Sequence, residues 1–192
     1  MKKVVIVRHG KKEGDLIAPD QLQEIRANGI KSLNHLLEPG QKIVLGLGSE
    51  LERTKQTTEA FAIYMERKGF IPTKTLPAEK NFGNAALFNQ LTGNAELMAL
   101  VKTDGWYSAL KTLSPAILVE IQSSQYLTLQ KIFDDVLDND LVIIVGHTPM
   151  IELLAFYIGG AGLDTKLVLK ELQGVLFVQN EAGEICVSGT LG

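Results

Sequence analysis

The sequence predicts an α/β domain, built as a three-layer α/β/α sandwich on a mainly parallel central sheet. Two short uninterrupted apolar runs, Val4-Val5-Ile6-Val7 and Leu141-Val142-Ile143-Ile144-Val145, have the composition of strands buried on both faces. Segments of strand type alternate along the chain with segments of helical periodicity, the order expected of a sheet covered on both faces. The chain has 192 residues, of which 45% are hydrophobic and 21% charged, so it can bury a substantial core as one domain and needs no second.

Residues 3 to 7 form the first expected strand, which runs into Arg8-His9-Gly10. From Asp20 to about Leu37 the apolar positions Leu22, Ile25, Ile30, Leu33, Leu36 and Leu37 recur at approximate helical spacing, interrupted by Gly29 and ended by Glu38-Pro39-Gly40. Lys42 to Gly48 reads as a second strand, Glu50 to Lys68 as a helix closed by Gly69, and residues 70 to 76 as a third strand. The stretch from Glu79 to Ser114 is the least regular, with helical turns around Ala95 to Val101 and with Trp106 and Tyr107 supplying packing. Ser114-Pro115 is an N-cap and first-turn pair for a helix running towards Asp138. The strand Leu141 to Val145 leads into Gly146-His147-Thr148-Pro149, and a helix from near Pro149 ends at Gly159-Gly160. Two final strands flank Asn180-Glu181-Ala182-Gly183, which has the composition of a hairpin turn.

The formal charge of -3 supplies no general attraction for nucleic acid or an anionic membrane, so neither is an expected partner and any affinity for anions must be local. The single cysteine, Cys186, lies in an alternating segment and is expected to be a small apolar core residue. No Cys/His cluster has zinc-ligand spacing, and no metal or other cofactor is expected. Arg8 interrupts the N-terminal apolar run before a signal-peptide core could form, and no apolar stretch is long enough to span a bilayer. These features point to a cytoplasmic protein. The oligomeric state is left open. His35 reads as a surface or interface residue, and Gly159-Gly160-Ala161-Gly162 lacks the lysine and spacing of a phosphate-binding loop.

Chemistry gathers at three strand ends. An arginine offers a fixed cationic fork to phosphate or carboxylate, and a neutral imidazole offers a nucleophile or base near neutral pH. An Arg-His pair after a strand can equally be a hydrogen-bonded strand end. If the strands ending at His9 and His147 are parallel neighbours, however, both histidines emerge at one sheet edge and can face one small group. Arg53 falls in the first turns of the helix that follows the second strand, where free backbone N–H groups and the helix dipole attract anions. Two arginines and two histidines without a metal motif suit a phosphoryl group, whose transfer depends on charge stabilisation and in-line positioning.

These residues resemble the histidine phosphatase superfamily, also called the phosphoglycerate mutase-like superfamily. Its Arg-His-Gly signature matches Arg8-His9-Gly10, its second-arginine motif matches Ser49 and Arg53-Thr54-Lys55-Gln56-Thr57, and its late Gly-His element matches Gly146-His147. The likeness runs in the same order from about residue 3 to residue 158. It implies a phosphoglycerate mutase-like fold over a single domain, residues 1–192, with a substrate-capping insertion around 80–114. It also implies a metal-independent phosphatase, a phosphoric monoester hydrolase of the histidine acid phosphatase type, acting on a phosphorylated small molecule or a phosphoprotein. By this resemblance His9 is the nucleophile that becomes phosphohistidine, and Arg8, Arg53 and His147 bind the transferring phosphoryl oxygens. Glu79, in Leu76-Pro77-Ala78-Glu79-Lys80-Asn81-Phe82-Gly83, corresponds to the proton donor of the mutase-like branch, with one extra residue before it. A phosphoglycerate-type mutase and a noncatalytic phosphate-binding module are the alternatives. The chain departs from the family at Lys11-Lys12-Glu13-Gly14, where a small hydroxyl phosphate ligand is usual. Lys11 and Lys12 read there as a solvated pair or as added positive charge at the substrate entrance.

Overall fold

The first apolar run forms the middle of strand β1 (Lys2–Arg8), in which Val4, Val5, Ile6 and Val7 are fully buried. The structure is a computed structural model and describes residues 1–76, 80–159, 163–164 and 166–192. A small ribbon follows, β2 (Lys12–Glu13) with β3 (Leu16–Ile17). In the main sheet, β4 (Ile43–Leu47) pairs in parallel with β5 (Lys74–Leu76) on one side and with β6 (Leu141–Gly146) on the other. The second apolar run, β6, lies parallel beside β1 with Arg8 opposite Gly146. β7 (Gly174–Gln179) is antiparallel to β1, and β8 (Ile185–Leu191) antiparallel to β7. The order is therefore β5-β4-β6-β1-β7-β8, a mainly parallel sheet with its antiparallel pairings confined to one edge.

Alternation along each strand distributes the core over two faces. Val4, Ile6, Val142 and Ile144 pack with Leu129, Ile132 and Phe133 of α7 (Leu127–Asp135) and Ile151 and Leu154 of α8 (Met150–Gly159). Val5, Val7, Ile143 and Val145 pack instead with Ile25 of α1 (Pro19–Asn28) and Phe61 and Met65 of α3 (Glu52–Arg67). Each such side chain is worth roughly 1.5–3 kcal/mol relative to exposure, so a one-residue register slip is strongly resisted. A third cluster joins α4 (Ala85–Thr92), α5 (Ala95–Thr112) and α6 (Pro115–Glu120) to α8, with Leu87, Leu91, Leu97, Trp106 and Ile117 packed on Leu153 and Phe156. Among the described residues no helix is long and apolar enough to cross a membrane.

Several elements differ from the sequence expectation for local reasons. The helix expected from Asp20 to Leu37 stops at Asn28, because Gly29 takes a left-handed φ of 71° and a side chain there would run into the Tyr64 ring. A single short turn, α2 (Lys31–Asn34), follows. The third strand is confined to Lys74–Leu76, since Phe70 N–H still bonds back to Met65 at 2.9 Å and Pro72 has no N–H to offer a ladder. Ser114 does cap a helix, its side chain accepting from Ile117 N–H. That helix reaches Asp135 in three pieces, α6, a π-helical segment Ile121–Tyr126, and α7. The irregular stretch holds a 3₁₀ turn (Lys80–Gly83) and two helices, α5 breaking at Gly105, whose φ is 77°. Cys186 is exposed rather than part of the core: on the edge strand β8 its neighbour Ile185 turns inward and the thiol outward. His35 is exposed, and Trp106 is buried in the helical cluster.

Candidate active site

Because β4, β6 and β1 are adjacent and parallel, their C-terminal ends lie along one sheet edge. His9 follows β1 and His147 follows β6, and their ring centroids are 4.9 Å apart. The backbone is tied across the edge, with His9 N–H donating to the Gly146 carbonyl at 3.1 Å and Gly48 N–H to the Val145 carbonyl at 2.7 Å. From β4 the chain turns through Gly48-Ser49 into α3, placing Arg53 in its first turn. Arg8, His9, Arg53 and His147 all line one cleft of about 380 Å³, whose outer wall includes Lys12, Leu51, Phe88, Asn89 and Glu171.

The proton positions follow from the partners. The Gly10 carbonyl can only accept, so His9 Nδ1–H donates to it at 2.6 Å and the neutral ring leaves Nε2 bare. That lone pair accepts from Arg53 Nε–H at 3.2 Å. Burial pulls the His9 pKa down to about 4, the charges of Arg53 and Arg8 adding to the effect and the Gly10 hydrogen bond opposing it. Burial, then the neighbouring His9, Arg53 and Arg8, lowers that of His147 to about 3. His147 Nδ1 faces the Arg53 Nη2 donor at 3.5 Å, so Nε2 carries the proton, 2.6 Å from Ser49 Oγ and 3.0 Å from Thr54 Oγ1. Both imidazoles are thus neutral at pH 7, and the Arg53 guanidinium spans them.

Arg53 is itself steadied from behind, since its carbonyl accepts from Thr57 Oγ1 at 2.8 Å and the same hydroxyl accepts from Gly10 N–H at 3.1 Å. Arg8 points its Nη1 at the Leu169 carbonyl, 2.7 Å away, and its Nη2 lies 3.2 Å from Glu171 Oε1. Gly83 lets the 3₁₀ turn close on the sheet edge. A Cβ there would lie 2.8 Å from His147 Cδ2 and 2.9 Å from the Gly48 carbonyl, and against Ser49 Cβ. An oxyanion entering the cleft can take over the guanidinium N–H groups of Arg53, which frees the His9 Nε2 lone pair for attack.

The structure thus brings Arg8, His9, Arg53 and His147 together, while Glu79 lies outside the described residues. Lys11 and Lys12 are both exposed, and of the two Lys12 lines the cleft. The hydroxyls of Ser49 and Thr54 hold His147 by tertiary contacts, and that of Thr57 bonds the Arg53 carbonyl one helical turn back; all three belong to the second-arginine motif, but the His147 partnership is set by the tertiary fold. Glu171 and the Leu169 carbonyl, which engage Arg8, carry no comparable sequence signal.

No protein-family model matches the chain, and no curated protein matches it. Solved structures match it in fold. The protein histidine phosphatase SixA complexed with tungstate superimposes with a TM-score of 0.58 at 13% identity, covering 99% of this chain and 96% of that one. Phosphoserine phosphatase from Entamoeba histolytica in complex with 3-phosphoglyceric acid gives 0.60 at 14% identity over 100% of this chain and 98% of that one. A mycobacterial glucosyl-3-phosphoglycerate phosphatase gives 0.56 at 14% identity over 97% and 96%. All three are histidine phosphatase superfamily proteins, and this chain has their fold.

Proposed function

We propose that the protein is a metal-independent phosphatase that hydrolyses a phosphomonoester or phosphoprotein through a phosphohistidine intermediate on His9. The observation that carries this reading is the unprotonated Nε2 of His9, fixed by the Gly10 hydrogen bond and facing Arg53 beside His147. Simple anion recognition needs donors at this point, whereas a bare imidazole nitrogen offers only a lone pair. The fold shared with SixA bound to tungstate, a tetrahedral oxyanion, supports a phosphoryl group as the occupant of the cleft.

In the first step the His9 Nε2 lone pair attacks phosphorus while the ester P–O bond breaks. Arg8 and Arg53 neutralise the equatorial oxygens, a role in which one preorganised donor is commonly worth about 10²–10³-fold. His147 lies beside the same oxygens. Glu79 donates the proton taken up by the departing oxygen, then draws a proton from water as that water attacks phosphorus. The N–P bond breaks, its electron pair returns to Nε2, and inorganic phosphate leaves. The segment around 80–114 caps the cleft and supplies Phe88 and Asn89 to the side where the departing group lies. An exposed, unpaired Cys186 fits a reducing, cytoplasmic setting.

The test is phosphoryl labelling with quenching. A labelled phosphate ester should transfer acid-labile, base-stable label to the protein, and His9→Ala should abolish both label and turnover, by about 10³-fold or more. Undiminished labelling of His9→Ala removes His9 as nucleophile. Product analysis separates the alternatives: released phosphate supports the phosphatase, isomerised phosphoglycerate a mutase, and oxyanion binding without turnover a recognition module.

A further inference from the structure

Glu152 is the one charged residue of α8, Met-Ile-Glu-Leu-Leu-Ala-Phe-Tyr-Ile-Gly, and it is fully buried five residues after His147. Its Oε1 accepts from Leu169 N–H at 3.0 Å, and among the described residues its Oε2 finds no hydrogen-bond partner. A buried carboxyl oxygen without a partner is costly to retain, and an apolar residue of equal size would cost less. The same Leu169 holds the site at its other end, because its carbonyl accepts from Arg8 Nη1 at 2.7 Å. The neighbouring residues close around Arg8 as well. Arg8 N–H donates to Gln173 at 2.8 Å, and Leu172 N–H donates to the Arg8 carbonyl at 3.1 Å. Leu172 does so from a left-handed φ of 62°, an uncommon conformation for a leucine, and its own carbonyl is held by Ser32 Oγ at 2.6 Å. Residues 169–173 are therefore a strap around Arg8, and Glu152 is its anchor on α8.

We propose that Glu152 is a positioning residue: by holding the Leu169 N–H it fixes the backbone on both sides of the Leu169 Cα, sets where the Arg8 guanidinium stands in the cleft, and so sets the strength with which the cleft holds a tetrahedral oxyanion. The proposal rests on the reading of the cleft as a phosphoryl site. Burial pushes the Glu152 pKa up to about 7, with the Leu169 hydrogen bond and the Arg8 charge opposing it. The hydrogen-bond acceptor, which glutamine also provides, is the feature the anchor needs.

Tungstate affinity, read by calorimetry and as inhibition of p-nitrophenyl phosphate hydrolysis, tests this together with thermal unfolding. Glu152→Met fills the space without an acceptor and should weaken tungstate binding about tenfold while keeping or raising Tm, since it also removes a buried carboxylate. Glu152→Gln should stay within about threefold of the unmodified protein. In an Arg8→Met background, adding Glu152→Met should cost nothing more, because the two act through one group. Unchanged affinity in Glu152→Met, or a loss additive with Arg8→Met, overturns the proposal. Should Glu152→Met fail to fold, a tenfold loss in folded Glu152→Gln overturns it equally. Tungstate binding with no ester turned over would sink the phosphatase reading and leave the anchor standing, so the two failures are distinguishable.

Discussion

Two walls of the same cleft are made in different ways. On the sheet side, Arg8, His9 and His147 leave strands whose register is set residue by residue, and Arg53 leaves a helix that starts directly after a third strand. On the other side, Phe88 and Asn89 come from α4, whose place depends on side chains packed in the third cluster rather than on any ladder. Strand hydrogen bonds fix the chemistry to within a fraction of an ångström, whereas packed helices can be re-dressed one side chain at a time. On the proposed function, the contrast would give phosphoryl binding to one wall and the choice of what the phosphate is attached to, to the other.

The largest test of that division is Arg53→Met. Both kcat/KM for a small phosphate ester and tungstate affinity should fall together, by about 10²–10³-fold. A loss under fivefold in either would mean that the sheet wall does not hold the anion. Phe88, 38% exposed at the cleft, should behave in the opposite manner. Phe88→Ala is expected to lower kcat/KM for a bulky aryl ester about five- to tenfold, the value of one aromatic contact, with tungstate affinity unchanged. An equal loss on both ligands would erase the distinction between the walls.

A separate readout is stability against pH. In the folded protein His9 and His147 hold their pKa values at about 4 and about 3, below the ordinary 6.5. As pH falls through 6.5 the unfolded chain binds protons that the folded site refuses, so stability present above 6.5 is lost progressively towards pH 4. Glu152 works with the opposite sign between about 7 and 4.5, where the folded state holds the extra proton. Urea midpoints should therefore decline from pH 7 to pH 4.5, more shallowly when both histidines are replaced by alanine and more steeply in Glu152→Met. Parallel curves for all three proteins would remove the buried histidines as the cause.

The same division explains what could be read without coordinates. The apolar runs at 4–7 and 141–145 declare buried strands because nothing else in a chain of this size needs such unbroken β-branched segments, and the polar residues that end them are placed by the sheet itself. Arg53 was legible for a similar reason, since its distance from the strand end is short and covalent. The helical wall was not. Gly105 breaks a periodicity that otherwise continues, and which face of α5 is covered is decided by α8, far away in the chain. Alternation around Cys186 defines two faces but not which of them is roofed, and at the outermost strand the thiol's face is open. Glu152 did leave a mark, a lone acid in an apolar helix. Its partner Leu169, however, is brought to it only by the tertiary fold.

Gly83 gives this arrangement a bearing on how the specificity of the cleft could change. Because a methyl group there would press on His147 and the Gly48 carbonyl, the position cannot be varied without disturbing the sheet edge. Phe88, five residues later, faces the cleft from a helix that does not touch the histidines through any hydrogen bond found among the described residues. The segment is thus locked at its first residues and open to change one turn further on, so, on the proposed function, a library confined to α4 would alter which phosphate esters are accepted and leave the sheet edge intact.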